Sequence, residues 1–342
     1  MNQRIPLPDF LKGLAVLLMI QVHIMELFAR PEIYQSLIGD VSLFLGGVPA
    51  APLFMAVMGY FVVWRSKGVK ALAKRGLQLI GWGIFLNTGL NLHLLIRIAN
   101  GTYAYDPLKY IFGVDILPLA GLSLLILALL RVLNLRKFYF YLALAVIVAG
   151  ITPYLPQLAN PSEPLAYFTA FLWDKHWWSY FPLFPWLAYP LAGAAFYYLQ
   201  KESIFKRHQP YFTGGALILT ILLFNRGVEV STELPAYYHH GGLFYIWALS
   251  FLGVLVYALL WIQHILSATY FDRYLRFMGR DVTATYVFQW LLIGNIATAI
   301  YRTQTKPALL IWFIGITIAT SLLVLLHRHY KLKKQKRLRY RI

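Results

Sequence analysis

The chain has 342 residues, of which 59% are hydrophobic and only 13% are charged, and its formal net charge is +18 at pH 7. Soluble domains are roughly half apolar and about a quarter charged, so this composition excludes a soluble globular protein. The sequence has no cysteine, which excludes disulfides, thiolate metal ligands and a cysteine nucleophile.

Apolar runs recur along the whole chain, and each is long enough to cross a bilayer, which takes ~20 apolar residues. The first run starts within about ten residues and carries ionisable groups, so we interpret it as a span rather than a cleaved signal. We predict an all-α membrane bundle of about ten transmembrane helices, at residues 9–29, 41–64, 71–96, 112–131, 136–154, 179–199, 211–226, 243–264, 282–302 and 307–327.

The basic residues alternate between the predicted loops. Of the 31 Lys and Arg, 24 fall at the amino end, in every second loop and in the tail, and 7 fall on the other side. The positive-inside rule therefore predicts both termini in the cytoplasm. Because these cations follow loops rather than one soluble face, they do not indicate nucleic acid as a partner. We predict one transmembrane domain at 1–327 and a basic tail at 328–342 that contacts anionic membrane lipid.

The first predicted span holds four ionisable residues, Asp9, Lys12, His23 and Glu26. Such groups are costly in hydrocarbon and usually serve function. Lys12 and His23 are eleven residues apart, which is ~16 Å of helical rise within ~20° of one face. His23 is a candidate general base or acyl carrier, and a structural histidine bonded to a neighbouring helix is the alternative. Glu26 either orients His23 or faces external water.

The predicted external segments, 97–111, 154–178 and 227–240, are longer and rich in aromatic and acidic residues. Asp174, Trp177 and Trp178 have the character of a sugar-stacking site, and an interfacial aromatic belt is the alternative. His239 and His240 are adjacent and lack the spacing of zinc ligands, so no metal is predicted.

Several strings, taken in order, resemble one family. The stretch from Asp9-Phe10-Leu11-Lys12-Gly13 to His23 looks like the first-span signature of the acyltransferase-three family and its relatives, which runs Asp, two residues, Arg, Gly, apolar residues, His. Three later strings are similar to the second span, the start of the third span and a turn before the penultimate helix: Met58-Gly59-Tyr60, Lys74-Arg75-Gly76 and Gly279-Arg280-Asp281. The stretch from Phe181 to Leu187, with Gly193, looks most like the branch that includes heparan-alpha-glucosaminide N-acetyltransferases.

Some positions depart from the family pattern. Lys12 replaces an Arg, which keeps the charge but loses the bidentate fork. Met58 replaces a Ser, and Gln289-Trp290 replaces a frequent His. In the heparan enzymes the position of His23 is Asn and a later His is catalytic, whereas residues 30–36 here contain no His.

The resemblance implies a membrane acyltransferase that moves an acyl group, usually acetyl, from cytoplasmic acyl-CoA to an acceptor on the far side of a bacterial cytoplasmic membrane. The acceptor class would be a sugar or glycoconjugate, and related enzymes suggest a homodimer. Neutral side chains such as Asn87 and Gln289 are candidates to polarise the thioester, and interhelical bonding is their alternative role. Five cations are candidates to hold the nucleotide end of acetyl-CoA: Lys74, Arg75, Arg136, Arg276 and Arg280.

Two other functions fit the same residues. A small-solute transporter or exporter would use His23 and Glu26 as a proton relay. A catalytically silent relative would sense or scaffold, which the substitutions at Met58 and Gln289 leave open.

Overall fold

The computed structural model describes residues 6–158, 161–267 and 269–339, so the last three residues of the predicted basic tail lie outside the described residues. Helix makes up 81% of the chain, and the described ranges contain no strand. The helices are α1 Pro6–Phe28, α2 Pro31–Tyr34, α3 Leu37–Gly46, α4 Ala51–Trp64, α5 Val69–Leu90, α6 Leu92–Ala99, α7 Pro107–Ile111, α8 Ile116–Val132, α9 Phe138–Ile151, α10 Glu163–Leu172, α11 Leu183–Trp186, α12 Ala188–Leu199, α13 Ser203–Leu222, α14 Phe224–Thr232, α15 Leu234–Tyr238, α16 Gly242–Ile265, α17 Tyr270–Arg280, α18 Val282–Ile300 and α19 Lys306–Arg339, with a 3₁₀ turn at Thr152–Tyr154.

The helices fit a multi-pass membrane protein. By length and apolar character, five stretches of the described chain are able to cross a bilayer: Leu7–Phe28, Leu37–Trp64, Gly242–Ile265, Val282–Ile300 and Lys306–Gln335. Two sharply bent pairs, α5 with α6 and α13 with α14, raise the number to seven if each pair is one span. The predicted spans at 112–131 and 136–154 correspond to shorter apolar helices.

The predicted span at 179–199 differs most from the structure. Residues 179–182 are irregular, α11 has only four residues, and α12 has twelve. Pro182 and Pro185 lack the backbone N–H that a continuing helix needs, which explains the interruption. A helix of twelve residues is ~18 Å long, shorter than the hydrocarbon core of a bilayer.

The chain forms two compact units, and the first comprises the described residues within 1–46, 89–97 and 259–342. In it α1 packs against α3, α17, α18 and α19. Apolar residues of α1 at helical spacing, including Val16, Ile20 and Ile24, form a buried core with Met278 of α17 and Ile293 of α18. The central place of α1 explains why most of its circumference is apolar.

Two motif glycines let α1 and α17 cross in backbone contact. A Cβ atom at Gly13 would collide with the Leu275 carbonyl, and one at Gly279 would collide with the Asp9 carbonyl. Any larger residue at either position would force the helices apart. The Gly of the first-span signature and the Gly of the Gly-Arg turn therefore lie at the same helix crossing and permit it from both sides.

The second unit comprises the described residues within 47–88 and 98–258. Its centre is α12, which packs against α4 and α9. A Cβ atom at Gly59 would collide with the Pro190 carbonyl, and one at Gly193 would collide with the Ala56 carbonyl, so here too a motif glycine permits a close crossing.

Helix α19 continues through the predicted domain boundary at residue 327 and ends at Arg339. Just beyond this boundary, Arg328 forms an ion pair with Asp281, and Lys331 Nζ lies 3.7 Å from the same carboxylate. Burial would raise the pKa of Asp281, but the Arg328 hydrogen bond and the charges of Arg328 and Lys331 outweigh it and lower that pKa.

Candidate functional site

The first unit brings His23 of α1 against Trp290 of α18. Their ring centroids are 4.0 Å apart and the ring planes are inclined by 31°. His23 Nδ1 is buried, and no atom of the described residues hydrogen-bonds to it. Buried side-chain polar atoms are usually hydrogen-bonded, so this unpartnered imidazole nitrogen makes His23 a candidate functional residue.

Gln289, one residue before Trp290, adds to the same group. Its side chain is 0% exposed and its amide lies within interaction range of the His23 imidazole. The geometry of a hydrogen bond is not met, however, and within the described ranges neither amide atom of Gln289 nor Nε1 of Trp290 has a partner. Each unpaired buried polar group costs about 1–3 kcal/mol. The three side chains together form a group with unpaired buried polar atoms, which is the candidate site of the first unit.

Asp9 and Lys12 lie nearer the start of α1. Lys12 Nζ is 3.9 Å from Asp9 Oδ1, and the Asp9 side chain is almost wholly buried next to the close crossing with α17. The two signature charges thus compensate each other where the two helices meet.

Glu26 is half-buried, one turn after His23. Burial first, and then the charge of Glu26, raises the pKa of Tyr34 in α2 to about 12. Glu26 therefore belongs to a charged group around the turn between α1 and α3.

The predicted cofactor cations have different surroundings. In the first unit, Arg276 forms an ion pair of 2.5 Å with the buried Asp272 one turn earlier, whereas Arg280 is exposed at the end of α17. In the second unit, Lys74 and Arg75 are exposed on α5, and Arg136 is exposed just before α9.

The second unit brings together the predicted sugar-binding residues. Asp174 is 2% exposed, accepts hydrogen bonds from Thr169 Oγ1 and the Lys175 N–H, and lies 3.3 Å from His176 Nε2. The His176 imidazole stacks on Trp178, with centroids 4.3 Å apart and planes within 14°. Trp177 contacts Trp178 edge-on and is itself half exposed, which suits an aromatic platform at a surface.

His239 and His240, which are not predicted to bind a metal, lie in this part of the second unit. Burial, and then the charge of Lys175, lowers the pKa of His239 to about 4, with Asp174 acting in the opposite direction. Burial lowers the pKa of His240 to about 3, and its two ring nitrogens lie 2.9 Å from the Tyr189 hydroxyl and 2.7 Å from the Tyr237 carbonyl.

Unpaired polar atoms also gather around this cluster. Nδ1 of His239 and Nε1 of Trp178 are buried with no hydrogen-bond partner in the described chain. The sequence signal that could have indicated this cluster was the recurrence of His in two predicted external segments. No group of three His, Asp or Glu in the described ranges is arranged to hold a metal ion.

The side-chain amide of Asn87 donates hydrogen bonds to two backbone carbonyls of the second unit. Its amide nitrogen donates to the Gly113 carbonyl at 2.6 Å and to the Ile111 carbonyl at 3.2 Å. These two bonds use both N–H groups of the amide and tie α5 to the turn before α8.

Comparison with known proteins supplies the family. Neither the search of curated proteins nor the search of solved structures found a match. The family model of the heparan-alpha-glucosaminide N-acetyltransferase catalytic domain matches residues 4–240, more than half of the chain. The match includes the first-span signature with His23 and the cluster around Asp174. The chain therefore belongs to the heparan-alpha-glucosaminide N-acetyltransferase catalytic family of transmembrane acetyltransferases, which confirms the resemblance seen in its motifs.

Proposed function

We propose that this protein transfers an acetyl or other short acyl group from cytoplasmic acyl-CoA to a sugar or glycoconjugate on the other side of the membrane. The observation that carries the proposal is the unpaired polar group formed by His23, Gln289 and Trp290 inside an apolar helical unit. Family membership supports the acetyl donor in general.

In this proposal the His23 imidazole acts in one of two ways. As a base, it takes the proton of an acceptor hydroxyl or amine while the acceptor attacks the thioester carbon and the CoA thiolate leaves. As a carrier, it attacks the thioester itself, releases CoA, and then passes the acetyl group to the acceptor. Gln289 donates to the developing oxyanion. Glu26 orients His23 in both cases.

Other predicted residues receive roles within their own units. Asp9 and Lys12 position the start of α1. Asp174, Trp177 and Trp178 bind the sugar acceptor through stacking and hydrogen bonds, and Asn87 orders the neighbouring turn. The phosphates of acetyl-CoA bind cationic side chains, for which the candidates are Arg276 and Arg280 in the first unit and Lys74, Arg75 and Arg136 in the second.

The topology that goes with this function is the one predicted from the sequence. It has about ten spans, both termini in the cytoplasm, a basic tail on anionic lipid, and a place in the inner membrane of a bacterium. The prevalence of cations in alternate loops supports the orientation. We further propose a homodimer, by analogy with related enzymes.

The test is acetyl transfer from radiolabelled acetyl-CoA to an amino sugar in sealed membrane vesicles, with wild type and His23→Ala. We expect His23→Ala to lower the rate at least 100-fold, because general acid–base catalysis contributes about 10²–10⁴-fold. His264→Ala, which replaces an exposed histidine at the end of α16, is the matched control and should retain the wild-type rate.

An unchanged rate in His23→Ala would remove this residue from the mechanism. Proton-coupled solute flux in proteoliposomes without CoA would instead support a transporter. Labelled acetyl retained on the protein when no acceptor is present, and lost in His23→Ala, would indicate the carrier route.

A further inference from the structure

The second unit contains a cavity of about 220 Å³ whose wall is cationic and aromatic. It lies where α4, α8, α9 and α12 begin or end, at three of the segments predicted to face the cytoplasm. Its lining includes Arg131, Arg136, Lys201, Tyr141, Tyr197 and Tyr198, and no carboxylate of the described residues lines it.

Two of the cations are held in place by the cavity wall. Arg131 donates to the Ser66 hydroxyl at 2.6 Å and to the Lys67 carbonyl, which uses two of the five N–H groups of its guanidinium. Lys201 Nζ donates to the Tyr197 hydroxyl at 2.6 Å and lies 3.9 Å above that ring. Their positive charges are therefore preorganised before any ligand binds.

The tyrosines form a stiff aromatic side of the cavity. The rings of Tyr141 and Tyr198 are stacked, with centroids 5.6 Å apart and planes within 24°. The Tyr141 hydroxyl donates to the Leu135 carbonyl at 3.0 Å, which fixes the turn that carries Arg136. Such a wall suits a planar or acyl group next to the anion that the cations would bind.

The charge around this cavity is unbalanced. Like charges facing one space repel, and in the predicted cytoplasmic segments of the second unit the only carboxylate is Glu202, which does not line the cavity. An anion with more than one negative charge and several acceptor oxygens would relieve this repulsion. Phosphate oxygens commonly accept hydrogen bonds from arginine guanidinium, lysine ammonium and tyrosine hydroxyl groups.

We infer that this cavity binds a phosphate group with at least one ester-linked substituent, presented at the cytoplasmic face of the membrane. Two sources have this chemistry, the nucleotide end of acyl-CoA and the headgroup of an anionic lipid. The nucleotide source rests on the proposed function, and the lipid source does not. Small-molecule pockets usually measure about 300–1,000 Å³, so this cavity fits a phosphate-bearing end rather than a whole coenzyme.

The experiment measures binding without acyl transfer, on the full chain in phosphatidylcholine nanodiscs. Adenosine 3′,5′-bisphosphate, titrated by calorimetry, probes the nucleotide source. Native mass spectrometry of protein equilibrated with phosphatidylglycerol probes the lipid source. The test variant is Arg136→Glu with Lys201→Glu, and the control is Lys137→Glu with Lys206→Glu, which changes the net charge equally at exposed residues outside the lining.

We expect at least one probe to bind to the wild type, with about tenfold or greater weakening in the test variant and less than threefold weakening in the control, because each charge-assisted bond contributes strongly. Which probe binds identifies the source. Binding of neither probe, or equal weakening in the control, would overturn the inference. His23→Ala should bind the probe as the wild type does, so failure of the cavity and failure of the proposed chemistry are separate results.

Discussion

The imidazole of His23 and the indole of Trp290 lie against each other, with ring centroids 4.0 Å apart, across the contact between α1 and α18. The contact places a titratable ring from the first span beside an aromatic wall from a helix more than 260 residues later. It fixes the imidazole on one side and leaves Nδ1 unbonded to any described residue. We therefore propose that Trp290 positions His23.

Replacing Trp290 tests this role. We expect Trp290→Ala to lower the acetyl-transfer rate ~10–100-fold, because a displaced catalytic group loses its orientation. Trp290→Phe keeps an aromatic face and should lose less than tenfold. Trp261→Phe, at an exposed tryptophan of α16, should leave the rate unchanged. Equal rates for Trp290→Ala and the wild type would contradict a positioning role.

Gln289→Leu should separate stability from activity. Because both amide atoms are buried without partners in the described chain, leucine should raise the free energy of unfolding by about 1–3 kcal/mol. The same variant should transfer acetyl more slowly, since a donor to the oxyanion is lost. Thermal unfolding in detergent and the acetyl-transfer assay measure the two effects.

Gln21→Leu is the contrasting variant in the same unit. Gln21 donates to the Ser42 carbonyl at 2.9 Å and accepts from the Ser42 hydroxyl at 2.6 Å. Its loss should therefore lower the unfolding temperature. A destabilised Gln289→Leu would argue that the Gln289 amide is satisfied in the folded protein and is not waiting for a ligand.

Gly279→Ala should lower the free energy of unfolding by about 1–3 kcal/mol, because its methyl group would collide with the Asp9 carbonyl at the α1–α17 crossing. Gly315→Ala in α19, where a methyl group meets no atom of the described residues within 4 Å, should change the unfolding free energy by less than about 1 kcal/mol. Unfolding temperatures of the two variants, purified in parallel, give the comparison. Similar temperatures would mean that the crossing is not tightly packed.

Acid should destabilise the second unit through His240. Its folded pKa is about 3 against an ordinary value of 6.5, so the unfolded chain binds a proton more readily. The stabilisation is complete above pH 6.5 and is lost as the pH falls from 6.5 towards 3, at up to ~1.4 kcal/mol per pH unit. Unfolding temperatures between pH 7.5 and pH 4.5 should fall less steeply in His240→Gln, and His264→Gln should follow the wild type. Parallel curves for all three would contradict burial of a neutral His240.

The local pattern predicted much of what the structure contains. The apolar runs at 9–29, 243–264, 282–302 and 307–327 correspond to helices α1, α16, α18 and α19, because hydrophobic length alone specifies such elements. The single span predicted at 179–199 differs from the structure, because this run is apolar but Pro182 and Pro185 interrupt the helical hydrogen bonds of the backbone. Apolar composition predicts burial in the bilayer or in the protein. It does not predict how many residues form one unbroken helix.

By itself the sequence determined the membrane class and the family, because these depend on composition and on residues close together in the chain, whereas the role of His23 stays a prediction. Only the tertiary structure decided that Gly13 and Gly279 share one crossing, that Gln289 and Trp290 lie beside His23, and that His239 lies near Asp174. The physical reason is that each pairing joins helices distant in sequence. Which of their faces meet is set by side-chain packing over the whole unit, and no local pattern carries that information.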